Sequence, residues 1–337
     1  MRIGLDAMGG DFAPAAPAQG ALAAKGLLGP DDEIVLLGDE TVLRTQLPPD
    51  ESWKSFIRIE PTDQVIAMDD PPVEALRSKP NSSIARMAEM AGRGELDAII
   101  SAGNTGACVA AAQMRLRRLP GVHRPGIAAL FNTFQGPTIM CDVGANLNCR
   151  PAHLYQYGVM ASEYTRGICN LPEPRVGLLS IGEEESKGNQ LVKETRALLR
   201  GDAKLKFIGN IEGRDIHRGV CDVIVSEGFV GNVCLKLMEG LGEGLVKALL
   251  KELMSSNPAL GAKLVEALKT TREKFDFNAY GGAPLLGADG ICIICHGASQ
   301  ARALTNSVRV AKTFAAARIN QRITERLARH PRDVVHE

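Results

Sequence analysis

Lys187 lies in the glycine-containing loop Gly182–Asn189 (GEEESKGN), between a predicted strand at Arg175–Ser180 and a predicted helix at Gln190–Leu199. A lysine at the mouth of such a loop can hold a phosphate or an acyl oxygen, and the helix N-terminus adds partial positive charge and free N–H groups. Because three glutamates precede the lysine, a solvated loop with an internal ion pair is the alternative. The position between a strand and a helix favours an anion site.

Four further apolar runs stop at loops rich in glycine and asparagine. These loops are Ser101–Gly106 (SAGNTG), Asp142–Asn148 (DVGANLN), Glu227–Asn232 (EGFVGN) and Tyr280–Gly282 (YGG), which leads into APLLG. Helix-like sequence follows each of them except the last. A strand that ends in such a loop, with a helix behind it, offers free backbone N–H groups to an anion. The recurrence predicts a single polar site at the carboxyl ends of a parallel sheet.

Three asparagines in these loops have two possible roles. Asn232 directly precedes a predicted helix at Val233–Met254, so helix capping would explain it. Its amide could equally donate a hydrogen bond to a developing oxyanion. The same two roles are open for Asn104 and Asn146, and the recurrence of the pattern favours a shared site.

His296 follows an apolar strand predicted at Gly290–Ile294 and precedes a glycine. A lone histidine is more often structural, but one at the carboxyl end of a strand could donate a proton in the same site. The sequence CIICH matches the haem-attachment pattern. We reject haem because both cysteines belong to an apolar strand and haem attachment is typical of exported proteins.

Motifs for metals and nucleotides are weak or absent. Asp6 and Asp11 flank the glycines of LDAMGGDFAP without a third carboxylate or histidine at ligand spacing, which favours loop closure over a metal site. Neither GxGxxG nor GxxxxGK[ST] occurs, so dinucleotide and P-loop sites lack their main signal. We expect no metal and no cofactor.

Composition narrows the class of protein. The 337 residues contain 39 basic and 39 acidic side chains, and only 4% are aromatic, which argues against nucleic acid as a partner. The N-terminus lacks the basic and apolar regions of a signal peptide, and no uncharged run is apolar enough to span a bilayer. The eight scattered cysteines are typical of reduced, buried thiols, so a cytoplasmic protein is expected.

Strands alternate with helices along the chain, which predicts a parallel or mixed sheet with helices on both faces. One hairpin is expected where NTFQGP joins Ile127–Phe131 to Thr138–Cys141. Without a repeat or a linker, residues 1–328 are predicted to form a single α/β domain, with a helical protrusion at about 233–275 and a loose tail at 329–337.

The long helical region ends in an apolar tip. Met254, Pro258, Ala259 and Leu260 surround a polar SSN segment, and lysines at 247, 251, 263 and 269 lie on the flanking helices. Apolar residues in front of lysines suit a membrane surface. Leucines and a methionine at helical spacing, from Leu235 to Leu253, predict a face packed on the core or on a second subunit.

Taken in order, these motifs resemble the PlsX-type phosphate acyltransferases of bacterial phospholipid synthesis. The matching strings are LDAMGGDFAP, AMDDPPVEALR, SAGNTGA, DVGANLNCRPAHL, RVGLLSIGEEESKGN, GNIEGRDI, EGFVGNVCLK and YGGAPLLG, from residue 5 to residue 287. Several of them are long and rare, and they cover nearly the whole chain.

The resemblance implies that inorganic phosphate attacks the thioester of a fatty acyl-acyl carrier protein, giving acyl phosphate and free carrier protein. It implies a homodimer with a Rossmann-like, mostly parallel sheet sandwiched by helices, similar to phosphotransacetylases and isocitrate dehydrogenases. A membrane-bound glycerol-3-phosphate acyltransferase would receive the product, which fits a cytoplasmic protein in transient contact with the inner face of the membrane.

Within this reaction, residue roles can be assigned as hypotheses. Lys187 would hold phosphate and the thioester oxygen, Asn232 would bind the tetrahedral intermediate, and His296 would protonate the leaving thiolate. The phosphate pocket would be lined by Asn104, Thr105, Gly106, Gly144, Asn146, Gly188, Asn189 and Gly231. Two alternatives remain open: a non-catalytic module that binds lipid or carrier protein, and an isocitrate-type dehydrogenase, for which the acidic cluster and the fingerprint are missing.

Overall fold

The computed structural model describes residues 1–275 and 281–328, and within them an 11-stranded sheet is buried on both faces. Successive residues of a central strand belong to different core clusters. In the strand Glu33–Gly38, Val35 and Leu37 join one cluster, whereas Ile34 and Leu36 join another. Because neighbouring side chains of a strand point to opposite faces, these apolar runs require helices on both sides.

Eleven strands are described and are numbered in chain order. They are β1 Arg2–Asp6, β2 Glu33–Gly38, β3 Ile57–Pro61, β4 Ala98–Ser101, β5 Gly126–Thr133, β6 Gly136–Cys141, β7 Arg175–Leu179, β8 Lys206–Ile211, β9 Val223–Val225, β10 Ala283–Leu286 and β11 Ile291–Ile294. Their order across the sheet is β3-β2-β1-β4-β11-β10-β5-β6-β9-β7-β8. The predicted hairpin is confirmed as the antiparallel pair β5–β6.

The sheet contains two parallel blocks of opposite direction. β3, β2, β1, β4 and β11 form the first block, and β6, β9, β7 and β8 form the second. Between them, β10 and β5 pair antiparallel with each other and with their outer neighbours. The predicted fold class, a mostly parallel sheet flanked by helices, is therefore confirmed, but the loops predicted to share one edge belong to two blocks.

Helices cover both faces and begin at local signals. They are α1 Ala15–Ala23, α2 Glu40–Gln46, α3 Pro72–Ser78, α4 Ser83–Gly92, α5 Thr105–Arg115, α6 Pro151–Ile168, α7 Gln190–Gly201, α8 Gly228–Ser256, α9 Pro258–Phe275, α10 Ala301–Ala316 and α11 Ile319–Ala328. Ser82, Asn104 and Asn189 each accept an N–H bond from the first turn of the helix that follows. Helices α8 and α9 pack against each other across a turn at Asn257.

The structure departs from the sequence prediction at three elements. No strand was predicted in APLLG, but this segment contains β10, because its proline and short length obscured the strand pattern. The sequence pattern of Ser299–Ile323 predicts a single closing helix. The structure has two helices there, because Arg318 adopts a left-handed conformation with φ 52° between them. The third difference, the start of α8, bears on the site. Tyr280 and the tail 329–337 lie outside the described residues.

Among the described helices, none combines the length and the apolar character needed to cross a bilayer.

Candidate functional site

Asp142 organises the loop that follows β6, a role that motif analysis missed. Its carboxylate is buried and accepts five hydrogen bonds. The donors are the backbone N–H groups of Ile127 (2.9 Å), Gly144 (3.2 Å), Ala145 (3.0 Å) and Asn146 (2.8 Å), and Nδ2 of Asn146 (3.2 Å). Burial raises the pKa of Asp142, and these donors oppose that rise. An aspartate directly after an apolar strand and before glycine is a turn signal that could have identified it.

The bonds to Asp142 change the expected role of Gly144 and Asn146. Both backbone N–H groups point at the buried carboxylate, and Nδ2 of Asn146 also donates to the backbone oxygen of Pro125 at 2.7 Å. These groups therefore hold the loop in shape instead of facing a ligand. Asn146 is not a helix cap either, since α6 begins at Pro151.

Helix α8 begins against this loop, one turn earlier than predicted. Glu227 caps the helix by accepting the N–H groups of Phe229 (2.8 Å) and Val230 (2.9 Å). Gly228 donates its N–H to the backbone oxygen of Asn146 at 3.0 Å. The glycines suggested a loop, but they are needed because the helix lies too close to the β6 loop for a side chain.

Asn232 is consequently not the cap of α8, and that interpretation is wrong. It is exposed in the second turn of the helix. Its side chain is the nearest group to Gly144: the three closest atoms to a Cβ built there are all from Asn232, at 3.7–3.8 Å. Without a capping function, the amide at this position is available to a substrate.

Gly231 shows how tightly α8 and the β6 loop fit. A Cβ added there would overlap the backbone oxygen of Asp142 and lie 2.6 Å from Oγ of Ser226. Both of these atoms belong to the packed core of the site. Gly231 therefore has a packing role, and no ligand contact is needed to explain it.

We expect Gly231→Ala to lower the free energy of unfolding by about 1–3 kcal/mol, because the new methyl group would push α8 away from backbone that cannot yield. Gly240→Ala is the matched control, since Gly240 lies in the same helix with no atom within 4 Å of its built Cβ. The control should be neutral or slightly stabilising. Urea titrations of both variants measure the difference; equal midpoints would contradict the packing argument.

Lys187 is exposed and free of ion pairs within the part of the chain that the structure describes. Of the neighbouring glutamates, Glu185 pairs instead with Arg200, so the internal ion pair considered above does not form with that residue. The lysine stem lies over Gly182, where a built Cβ would be 2.7 Å from Cγ of Lys187. Gly182 thus leaves room for the aliphatic part of the lysine, whose ammonium group remains open to an anion.

The N-terminus of α7 adjoins this lysine. Gly188 has φ 94°, a left-handed conformation that favours glycine, and Oδ1 of Asn189 accepts the N–H of Val192 at 3.0 Å. Asn189 is therefore a helix cap. The remaining N–H groups of the first turn and the positive end of the helix dipole are directed towards the Lys187 loop.

Because β6, β9 and β7 are adjacent and parallel, the three loops that follow them lie at one edge of the sheet. We call it the β6–β9–β7 edge. It brings together seven of the predicted site residues: Gly144, Asn146, Lys187, Gly188, Asn189, Gly231 and Asn232. An ammonium group, an exposed amide and a helix N-terminus at one edge can bind and polarise an anionic group.

Asn104, Thr105 and Gly106 follow β4, in the other block. The Asn104 side chain is fully used: Oδ1 caps α5, and Nδ2 donates to the backbone oxygens of Ala67, Met68 and Asp70 at 3.0–3.2 Å. A Cβ on Gly106 would lie 2.6 Å from Pro72. These residues join α5 to the preceding loop, and their place in a phosphate pocket stays a prediction.

His296 follows β11 and also belongs to the first block. Its Nδ1 accepts the N–H of Ala298 at 3.1 Å, and Nε2 lies 4.0 Å from Oε2 of Glu239 on α8. Glu239 is two helical turns from Asn232, about 10 Å along the axis and on nearly the same side of the helix. Helix α8 thus connects the two blocks and places His296 and Asn232 along one of its sides.

The surroundings of Asp6 and Cys149 indicate structural side chains. The Asp6 carboxylate accepts the O–H of Ser101 at 2.7 Å and the N–H of Met8 at 3.1 Å, which closes the LDAMGGD loop as predicted. Cys149, in the loop after β6, is partly buried, and this burial raises the pKa of its thiol to about 11. It stays a protonated thiol at neutral pH and is a poor nucleophile.

Comparison with known proteins agrees with the motifs. Residues 1–322 match the family described as "Fatty acid synthesis protein". A protein named phosphate acyltransferase from Trichlorobacter lovleyi is 43% identical over 330 residues, which cover 97% of this chain and 95% of that protein.

Solved structures of lower identity share the fold. A phosphotransacetylase from Streptococcus pyogenes has a TM-score of 0.63 at 16% identity, covering 95% of this chain and 94% of the other. A 4-hydroxythreonine-4-phosphate dehydrogenase from Klebsiella pneumoniae has a TM-score of 0.53 at 15% identity, with coverage of 95% and 99%. These two structures show the fold alone, whereas the sequence matches show the family. The chain belongs to the fatty acid synthesis protein family, together with the phosphate acyltransferases, which are transferases.

Proposed function

We propose that this protein transfers the acyl group of a fatty acyl-acyl carrier protein to inorganic phosphate, for phospholipid synthesis. A phosphate oxygen bonds to the thioester carbon, the carbon–sulfur bond breaks, and the thiolate takes up a proton. The observation that carries the proposal is Lys187, which forms no ion pair with any described residue. It lies at the β6–β9–β7 edge, which also carries the exposed Asn232 and the N-terminus of α7.

The geometry suits an anionic nucleophile. Phosphate needs no activation by a base, so the main tasks are charge neutralisation and stabilisation of the oxyanion. Lys187 and the first turn of α7 neutralise phosphate, and the Asn232 amide donates to the tetrahedral intermediate. His296, which lies beside Glu239 on the same side of α8 as Asn232, protonates the thiolate. The protonated Cys149 does not compete as an acyl acceptor.

The reaction is tested by incubating fatty acyl-acyl carrier protein with inorganic phosphate. Hydroxylamine traps the acyl phosphate as a hydroxamate. Hydroxamate should form only when phosphate is present, and free carrier protein should appear in equal amount. Binding of acyl-carrier protein without phosphate-dependent loss of thioester would refute the proposal and would favour a non-catalytic binding module.

The α8–α9 turn supports a role at the membrane. Met254 and Leu260 are about half exposed there, and Pro258 and Ala259 are exposed beside them. Lys247, Lys251 and Lys263 lie on the same two helices. Exposed apolar side chains backed by lysines suit transient contact with an anionic membrane, where a glycerol-3-phosphate acyltransferase would receive the acyl phosphate.

We expect the double substitution Met254→Glu/Leu260→Glu to reduce flotation with anionic liposomes at least about tenfold, since two charges would enter the apolar interface. Val73→Glu is the control, because Val73 is equally exposed but lies on α3. Flotation that is unchanged by the double substitution would exclude contact through this turn.

The leucines of α8 support a homodimer. Leu235 and Met238 pack on the core, whereas Leu237, Leu241 and Leu245 are exposed by 61–65%. Their spacing of four residues gives an apolar stripe of the kind that a second subunit covers. Light scattering should give twice the chain mass for the wild type and a smaller mass for Leu241→Glu; a monomeric wild type would refute the proposal.

A further inference from the structure

Three exposed arginines surround two histidines beside the β5–β6 pair. Arg118 donates to the backbone oxygen of His123, and the rings of His123 and His153 are perpendicular, with centroids 6.2 Å apart. Arg124 follows His123 directly, and Arg150 precedes α6, which carries His153. We call these five residues the arginine cluster.

The positive charge of this cluster is not compensated. No described carboxylate forms an ion pair with Arg118, Arg124 or Arg150, although other arginines, such as Arg86 and Arg175, are paired. The same positive charge, together with burial, lowers the pKa of both histidines. The pKa of His153 is lowered to about 4, first by burial and then by Arg124, His123 and Arg150. The pKa of His123 is lowered by burial and by Arg118.

The cluster adjoins the candidate site. Nη1 of Arg124 lies 3.5 Å from Oδ1 of Asn146, the residue that Asp142 holds in place. Leu147 comes next in the chain and is 66% exposed, between the buried Asn146 and the exposed Arg150. A macromolecule that delivers a reactive group to the β6–β9–β7 edge would therefore meet both the arginines and this apolar side chain.

These features fit a protein surface better than a small anion. Arginines around an exposed leucine are typical of interface anchors, and unpaired exposed charges steer and orient an oppositely charged partner. A second copy of this chain is a poor match, because a two-fold interface centred here would place arginines against arginines. Charge complementarity selects an acidic partner.

We infer that the arginine cluster, with Leu147, docks an acidic surface of the acyl carrier protein. The inference rests on the proposed function, which requires that carrier as the acyl donor. Docking at this point would place the thioester at the neighbouring β6–β9–β7 edge.

The test is the double charge reversal Arg118→Glu/Arg150→Glu. Arg124 is left unchanged because it contacts Asn146 directly. Arg77→Glu/Arg322→Glu is the control with the same change of net charge, and its two arginines are exposed on α3 and α11. Thermal melting confirms folding, and light scattering confirms the oligomeric state.

Two measurements separate docking from chemistry. Calorimetry at low and moderate salt gives the Kd of fatty acyl-acyl carrier protein. This Kd should rise at least about tenfold in the double variant but not in the control. The KM for acyl-carrier protein should rise in parallel, while the rate with a small acyl-pantetheine thioester should stay within about twofold.

Three outcomes would overturn the inference. An unchanged Kd would show that the carrier binds elsewhere, and an equal loss with acyl-pantetheine would show that the arginines act on the chemistry. A change of molar mass would show that the cluster faces a second copy. A wild-type protein that binds the carrier but forms no acyl phosphate would refute the proposed reaction while the Kd comparison still tests the docking surface.

Discussion

Lys187→Ala is expected to reduce acyl phosphate formation by about 10²–10³-fold, the effect of removing one principal charge-stabilising group from an acyl-transfer site. The ammonium group of Lys187 has no carboxylate partner among the described residues, so its charge is available to phosphate and to the thioester oxygen. The N-terminus of α7 alone would stabilise the negative charge on phosphate and on the oxyanion less well than Lys187 does, because a helix end carries only about half a unit of charge.

This substitution is well suited to the test because it should cost little stability. Lys187 is exposed, and its stem contacts Gly182 rather than the core. Lys193→Ala, one turn into α7, is the control for loss of an exposed lysine and should retain activity. Hydroxamate formation measures both variants. Near-normal activity of folded Lys187→Ala would remove Lys187 from the catalytic assignment.

Asp142→Asn is expected to lower the free energy of unfolding by about 3 kcal/mol or more. The carboxylate accepts five hydrogen bonds in a buried position, and hydrogen bonds to a charged group are each worth about 1.5–3 kcal/mol. An amide would turn one acceptor oxygen into a donor that faces other donors. Because the bonded loop supports the N-terminus of α8, the site should lose its shape together with this stability.

Denaturant unfolding of Asp142→Asn measures the loss, with Asp50→Asn as a control for an exposed aspartate. Activity at low temperature, where the variant is still folded, should also fall, because Asn232 is positioned through this loop. A small change in stability would mean that Asp142 is already protonated at neutral pH, since a protonated carboxyl resembles the amide. A pH titration of the wild type would then locate its pKa.

The two substitutions separate chemistry from architecture. Lys187 acts at the surface of the site and contributes charge, whereas Asp142 acts beneath it and contributes shape. A site that uses an anionic nucleophile can divide its tasks in this way, because no side chain must be activated as a nucleophile or a base. The partly buried Cys149, kept as a thiol, is consistent with this division.

The sequence alone was sufficient for most of the elements and for the family. Apolar runs of strand length alternate with helices, and Ser82 and Asn189 mark helix starts by a local hydrogen bond that needs no tertiary context. The turn residues of NTFQGP likewise predicted the β5–β6 hairpin. Long loop strings in a fixed order identified the phosphate acyltransferases and singled out Lys187 as a candidate site residue.

The tertiary structure decided which loops meet and which side chains are free. Three successive antiparallel pairings, β11–β10, β10–β5 and β5–β6, reverse the strand direction across the middle of the sheet. Asn104 and His296 therefore follow strands of one block, and Lys187 and Asn232 follow strands of the other. Strand direction depends on long-range pairing, which a local pattern does not encode. Similarly, Gly228 and Gly231 suggested a loop from sequence. In the structure both lie in α8, where Asp142 is too close to leave room for a side chain. Asn104, Asn146 and Asn232 look alike as sequence, but their partners make the first a cap, the second a buried support and the third an exposed amide.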